Sequence, residues 1–162
     1  ILFMGGFASM VILDQKGFSG IVKHILDLIF LGGIGIFLSL PFALKWYLGL
    51  MYTRTSENYN FLLGFFFITG ILALVVVNEI RKLLKNLNKR NSFIVNNVQS
   101  LNRIAVSCLL IAACYVIKII FYNSFLTIIV TMVFIITGFF SIILAEVFRQ
   151  AVLVKEENDL TI

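Results

Sequence analysis

The charged residues whose spacing could support chemistry lie at the ends of apolar stretches. Glu79 and Arg81 close one stretch, and Glu146 and Arg149 close another. Residues three apart share a face of a helix, so Glu146 and Arg149 can form an ion pair. Together with Arg103, which lies at the start of a third stretch, these residues are predicted to lie in one layer. Such a layer either fixes how the helices align or gates the passage of an ion or a proton.

A path for ions also needs polar side chains at mid-depth, between the charged ends. The two stretches that end in these charges offer only hydroxyl groups there, namely those of Thr69, Thr131, Thr137 and Ser141. Such hydroxyls can donate hydrogen bonds to carbonyl groups of their own helix. The sequence therefore favours the structural interpretation of the charged layer over the gate.

Catalytic and metal-binding patterns are absent from the sequence. Its single histidine, His24, stands alone and is predicted to lie at a membrane interface. Cys108 and Cys114 are separated by six positions, about 600° of helical rotation, so they face opposite ways and are not expected to pair. Because no carboxylates or nucleophiles recur at catalytic spacing, we expect neither an enzyme nor a bound metal or cofactor.

The composition places these residues on membrane-spanning helices. The chain is 60% hydrophobic and 13% charged, whereas soluble domains are about 45–50% apolar and about 25% charged. Four stretches reach the roughly 20 residues that a spanning helix needs, at about 25–52, 60–82, 100–122 and 125–150. The sequence thus predicts an all-α membrane protein in which four transmembrane helices form an antiparallel bundle.

Residues 21–162 are predicted to form this single transmembrane domain, and residues 1–20 to be a separate N-terminal segment. The first 13 residues, "ILFMGGFASMVIL", are too short to span a bilayer and lack the basic region that opens a secretory signal. An upstream extension, a cloning remnant and a short interfacial helix all remain open for them.

The basic residues predict the orientation of the spans. They cluster between the second and third spans, as Arg81, Lys82, Lys85, Lys89, Arg90 and Arg103. The positive-inside rule places this connection in the cytoplasm, and with four spans both termini are then cytoplasmic. Spans two and three should extend into the cytoplasm, with Ser92 as the N-cap of the segment that leads into span three. The connection lacks interleaved aromatic residues or a groove-reading helix, so no direct binding of nucleic acid is expected.

Two lysines lie near the opposite end of the spans. Lys45 belongs to an aromatic and cationic belt, and Lys118 lies four residues before the end of span three. They either reach the interface separately or meet and bind an anionic or lipidic ligand. Pro41 removes one backbone hydrogen bond, so it is predicted to kink span one and to act as a hinge.

The acidic end of the chain is the predicted docking segment. Glu156, Glu157 and Asp159 lie in "KEENDLTI", and a charged tail of this kind can become ordered when it binds a partner. Small residues recur every fourth position in spans one and four. They could support packing within the chain or a homo-oligomer.

Three segments resemble a known family: "LPFALKWY", "NEIRKLLKNLNKRNSFIVNNVQSLNRIA" and "AEVFRQAVLVKEENDLTI". The family comprises small four-span bacterial membrane proteins and is described only as a domain of unknown function; the resemblance covers about residues 20–162. Its genes commonly lie beside one for a small Cro/CI-like helix-turn-helix regulator. The resemblance implies a protein of the bacterial cytoplasmic membrane that partners or modulates such a regulator. The alternative is a small transporter, immunity or stress-resistance protein that acts through Lys45 and Lys118.

Overall fold

The structure of the protein, a computed structural model, describes residues 15–50, 58–88 and 93–160. They form four helices: α1 (Gln15–Leu50), α2 (Tyr59–Asn88), α3 (Val95–Phe121) and α4 (Phe125–Leu160). Each helix contains a window long and apolar enough to cross a membrane, and the described residues include no strand. The predicted all-α fold of a four-span, multi-pass membrane protein is therefore confirmed.

All four helices are longer than the apolar stretches that predicted them, and α1 and α4 exceed theirs most. α1 begins at Gln15, about ten residues before the predicted span, and α4 continues to Leu160, past its predicted end near residue 150. Composition marks where lipid contact ends, whereas a helix can continue beyond that point, and the added part of α4 contains good helix formers such as Lys and Glu. Of the predicted N-terminal segment 1–20, residues 15–20 belong to α1. Residues 1–14 and the basic residues Lys89 and Arg90 lie outside the described residues.

The start of α3 differs from the prediction. Ile94 occupies the N-cap position in an extended conformation, and its side chain makes no capping hydrogen bond. The backbone carbonyl of Ile94 instead accepts a hydrogen bond from the backbone N–H of Asn97 at 3.0 Å. Ser92, the predicted N-cap, precedes this position and lies outside the described residues.

The helices pack in the order in which they follow one another along the chain. α1 packs on α2, α2 on α3, and α3 most extensively on α4. Within the described ranges, no Cα atom of α1 comes within 8 Å of a Cα atom of α3 or α4. The bundle is thus an open antiparallel row in which α1 is an edge helix.

The α3–α4 interface is the tightest, and Gly138 shows why. A Cβ atom at this position would lie 2.8 Å from Cγ of Leu109. Buried residues of α4 are mostly small or hydroxylated, and they include Thr131, Ser141 and Ala145. Small residues let helix backbones approach closely where lipid, rather than water, is the competing solvent.

The mid-depth hydroxyl groups bond to their own helices. Thr69 donates to the carbonyl of Phe65 at 2.9 Å, and Thr131 donates to the carbonyl of Thr127 at 2.7 Å. The hydroxyls of Thr137 and Ser141 do the same four residues back, each at 2.8 Å. These bonds satisfy the hydroxyls locally, so they do not by themselves form a continuous polar path across the bundle.

The edge helix α1 buries few of its side chains against the rest of the bundle. It continues as one helix through Pro41, and the carbonyl oxygen of Pro41 accepts a hydrogen bond from Oη of Tyr59 on α2 at 3.5 Å. Leu44 is its one buried side chain among those that the structure describes from Ile21 onward. Most of α1 therefore faces its surroundings rather than the bundle.

Candidate functional site

The antiparallel order brings the start of α1, the end of α2, the start of α3 and the end of α4 together. This end is called the polar end here, and it holds Asp27, Glu79, Arg103 and Glu146. The opposite end, which holds Lys45 and the α3–α4 connection, is called the outer end. Most of the described charges lie at the polar end.

Glu79 is the centre of the best-buried polar group. It is 3% exposed, and its Oε2 accepts a hydrogen bond from Oγ of Ser100 on α3 at 2.8 Å. Its Oε1 accepts from Nζ of Lys82 at 2.7 Å and lies 3.4 Å from Nη1 of Arg103. Because both carboxylate oxygens have donors, the buried charge is satisfied and joins α2 to α3.

An amide pair continues this contact toward the tip of the α2–α3 hairpin. Nδ2 of Asn86 donates to Oδ1 of Asn97 at 2.8 Å, and Asn97 is fully buried. The sequence reasoning did not single out either asparagine. The available signal was that Asn97 and Ser100 are three apart, so they share one face of α3.

Arg81 points the other way, toward α1. Its Nη2 and Nε lie 2.6 and 2.8 Å from Oδ1 of Asp27, and its guanidinium group lies 4.6 Å from the centre of the Phe30 ring. Asp27 was not predicted as a site residue, although it is the one acidic residue of the predicted first span. This pair and the ring contact tie the edge helix to α2.

Glu146 and Arg149 form a third group, confined to α4. Nε and Nη2 of Arg149 lie 2.8 and 2.7 Å from the two carboxylate oxygens of Glu146, and Gln150 donates to the same carboxylate at 3.2 Å. Both charged side chains are exposed. No hydrogen bond or ion pair in the described part of the chain links them to Glu79 or Arg103. The five residues assigned to one layer thus lie at one end but divide among three separate groups.

The chain matches the sequence model of one protein family. Residues 38–162 match a family described as "Protein of unknown function (DUF2975)". The chain belongs to the DUF2975 family. No match was found among curated proteins or among solved structures. The matched range of this DUF2975 protein includes α2, α3 and α4 with the Glu79 and Glu146 groups, whereas Asp27 precedes it.

At the outer end of the DUF2975 protein, the two predicted lysines lie on aromatic rings of α2. Nζ of Lys45 is 5.9 Å from the ring centre of Tyr59, and Nζ of Lys118 is 5.5 and 5.8 Å from those of Phe65 and Phe66. Neither lysine has an ion-pair partner within the described ranges. Both cations remain available to an anion, although each approaches α2 from a different neighbouring helix.

The acidic tail of the DUF2975 protein is helical and projects beyond the charged pair of α4. Ten residues follow Gln150 in α4, about 15 Å of helix. Glu156, Glu157 and Asp159 are all exposed on it. Beside this extension lies an open depression, here called the tail depression, lined by Phe93, Gln150, Ala151, Val154, Lys155, Asn158 and Asp159.

Phe93, which lines the tail depression, makes an aromatic contact with α4. The rings of Phe93, just before α3, and Phe148 on α4 lie 5.6 Å apart. Phe93 remains 45% exposed and Val154 57% exposed, so an apolar floor is open beside charged side chains. In the described part of the chain, no cluster of three His, Cys, Asp or Glu residues is placed to hold a metal ion. The tail depression and the two outer-end lysines are thus the features that the described part of the DUF2975 protein presents at its two ends.

Proposed function

We propose that this DUF2975 protein is a non-enzymatic protein of the bacterial cytoplasmic membrane that docks a helix-turn-helix transcription regulator on its polar end. In this proposal the polar end faces the cytoplasm, and the docking surface is the tail depression with the acidic residues Glu156 and Asp159. The observation that carries the proposal is the ordered extension of α4, which holds these two residues about 9 and about 14 Å beyond Gln150.

The chemistry of the tail depression suits a protein partner. Protein interfaces combine an apolar centre with a polar rim. Phe93 and Val154 supply exposed apolar surface, and Lys155 and Asp159 lie at the rim. Acidic side chains on the same helix complement the basic surface with which a DNA-binding protein contacts phosphate groups. Binding there would hold the regulator at the membrane and compete with its binding to DNA.

The internal polar groups support this role by making the polar end rigid. Glu79 and Asn97 connect α2 to α3, and Arg81 connects α2 to α1. α4 packs along α3, so the tail stands on a connected base. A surface that is ordered before binding loses less conformational entropy on association.

The test is co-purification of the full chain, in a mild detergent, with the helix-turn-helix protein encoded beside it. Reversing two tail charges, Glu156→Lys with Asp159→Lys, should weaken the complex at least about tenfold. Glu146→Lys is the charge control, because it reverses one exposed acidic charge on α4 at a residue that does not itself line the tail depression. Deletion of residues 155–162 without any loss of co-purification would refute the proposal.

The second candidate is a small transporter or a resistance protein that binds an anionic or lipidic ligand at the outer end. It is favoured by the two lysines there, which lack ion-pair partners among the described residues and reach α2 from both sides. Replacing both, as Lys45→Ala with Lys118→Ala, should then abolish a transport or resistance phenotype. Normal behaviour of the double variant would exclude this candidate.

A further inference from the structure

A groove follows the α1–α2 interface from the polar end toward the middle of the bundle. At the polar end it widens into a cleft between the two helices, lined by Lys23, Leu26, Asp27, Asn78, Arg81, Lys82, Leu84 and Lys85. Immediately beyond Asn78 the lining becomes apolar, starting at Val77 on α2 and Ile29 on α1. The cationic and apolar parts are therefore adjacent segments of one interface.

The cleft carries an excess of positive charge. Of its four cations, Arg81 pairs with Asp27, and Lys82 pairs with Glu79. Lys23 and Lys85 have no ion-pair partner among the described residues, and both side chains are exposed. One lies on each side of the cleft, on α1 and on α2. An anion placed between them would meet two unpaired ammonium groups.

The apolar part has the length of an acyl chain in one leaflet. It is an open space of about 300 Å³ that follows α1 from Ile29 to Leu40, which is about 16 Å of helix. Ile111 and Tyr115 of α3 and Phe134 of α4 also line it. Half the thickness of a bilayer's hydrocarbon core is about 15 Å. Gly70 helps to keep the space open, because a Cβ atom there would approach the Phe37 ring to 3.0 Å. Ala73 adds a second small residue to the wall.

We propose that the α1–α2 groove binds one anionic phospholipid from the leaflet at the polar end. Its phosphate lies between Lys23 and Lys85, and one acyl chain lies along the apolar wall. A soluble anion would leave the apolar part empty, and a neutral lipid would leave two ammonium groups unpaired. An anionic phospholipid satisfies both parts at once, as expected of basic pockets between membrane helices.

The experiment is a lipid titration of the full chain in neutral detergent, followed by native mass spectrometry. Phosphatidylglycerol and phosphatidylcholine of equal chain length are compared. The wild type should retain one phosphatidylglycerol molecule with at least about fivefold preference. Lys23→Gln with Lys85→Gln should reduce this affinity about 25-fold, because each lysine near a membrane surface contributes on the order of a fivefold change.

Ala73→Phe tests the apolar part, because a large ring at this exposed wall position would fill it. Both lipids should then bind at least about fivefold more weakly. The controls are Lys155→Gln, an exposed lysine outside the groove, and Ala113→Phe, an exposed alanine on α3 that does not line it. Both controls should bind as the wild type does, and thermal unfolding of every variant shows that it remains folded.

Three results would overturn the proposal. The first is an equal loss of phosphatidylglycerol in Lys155→Gln, which would indicate attraction by net charge. The second is full competition by millimolar glycerol phosphate, which would indicate a site for a soluble anion. The third is unchanged lipid binding in folded Ala73→Phe, which would show that the apolar part holds no acyl chain.

Discussion

Glu79 of α2 accepts a hydrogen bond from Oγ of Ser100 of α3 at 2.8 Å, in a position where the glutamate is 3% exposed. Seven residues further along α2, Asn86 makes a second hydrogen bond to α3, at Asn97. The two contacts lie about 10 Å apart along α2. Together they fix both the distance and the rotation of the two helices, because hydrogen bonds depend on direction while apolar contacts do not.

Glu79→Ala should destabilise the protein by about 2–3 kcal/mol, because it removes the acceptor for Ser100 and leaves a buried hydroxyl without a partner. Thermal unfolding of the full chain in detergent measures the effect. Glu146→Ala is the comparison, since Glu146 is exposed and its bonds stay within α4. The comparison variant should unfold at the wild-type temperature, and an equal shift in both variants would contradict the role given to Glu79.

Gly138→Ala should destabilise the packing of α3 against α4, because the added methyl group would lie 2.8 Å from the Leu109 side chain. Overpacking of this kind typically costs about 1–3 kcal/mol, which unfolding in detergent would detect. Gly64→Ala on α2 is the matched control, because nothing lies within 4 Å of a Cβ atom there. The control should be neutral or slightly stabilising, since alanine favours the helix over glycine. Wild-type stability of Gly138→Ala would show that Leu109 can move aside.

Asp27 and Arg81 should show a favourable coupling of roughly 0.5–1 kcal/mol in a double-mutant cycle, as expected for a partly exposed ion pair. The single variants Asp27→Asn and Arg81→Gln supply the cycle, again measured by unfolding. Exchange of the charges, Asp27→Arg with Arg81→Asp, should recover part of the loss. Additive effects of the two single variants would mean that the pair does not help to hold α1.

Single-cysteine labelling should place Lys85 and Asp159 on the same face of the membrane and Asn123 on the other. The native cysteines Cys108 and Cys114 are first replaced by alanine. A membrane-impermeant maleimide added to intact cells should react with Asn123→Cys alone, and the other two should react only after lysis. Labelling of Lys85→Cys in intact cells would show that the orientation is opposite to the one proposed.

The sequence was sufficient to predict the four helices, because membrane spans depend on composition over about 20 residues. It also indicated that Glu146 can meet Arg149, because their spacing within one helix defines the geometry. It could not assign Arg81 to Asp27 or Glu79 to Ser100. Those pairs depend on how each helix is rotated about its axis against a neighbour, and composition carries no information about that rotation.

The lengths of α1 and α4 show the same limit of prediction from composition. Their apolar stretches predicted where each helix meets lipid, and the structure continues both helices beyond it, to Gln15 and Leu160. The tail depression depends on this extension and on the ring of Phe93, so neither its floor nor its walls could be deduced from the acidic residues alone. The α1–α2 groove could not be deduced from the sequence either, because its lining comes from separate helices that meet only in the folded bundle.

The order in which the helices pack has a consequence for how the protein is made. Each helix packs on the one that follows it in the chain, and no Cα of α1 approaches α3 or α4 within 8 Å in the described ranges. Every interface can therefore form as soon as the next helix leaves the ribosome and enters the bilayer. Assembly can keep pace with synthesis, and the first helix need not wait for the last.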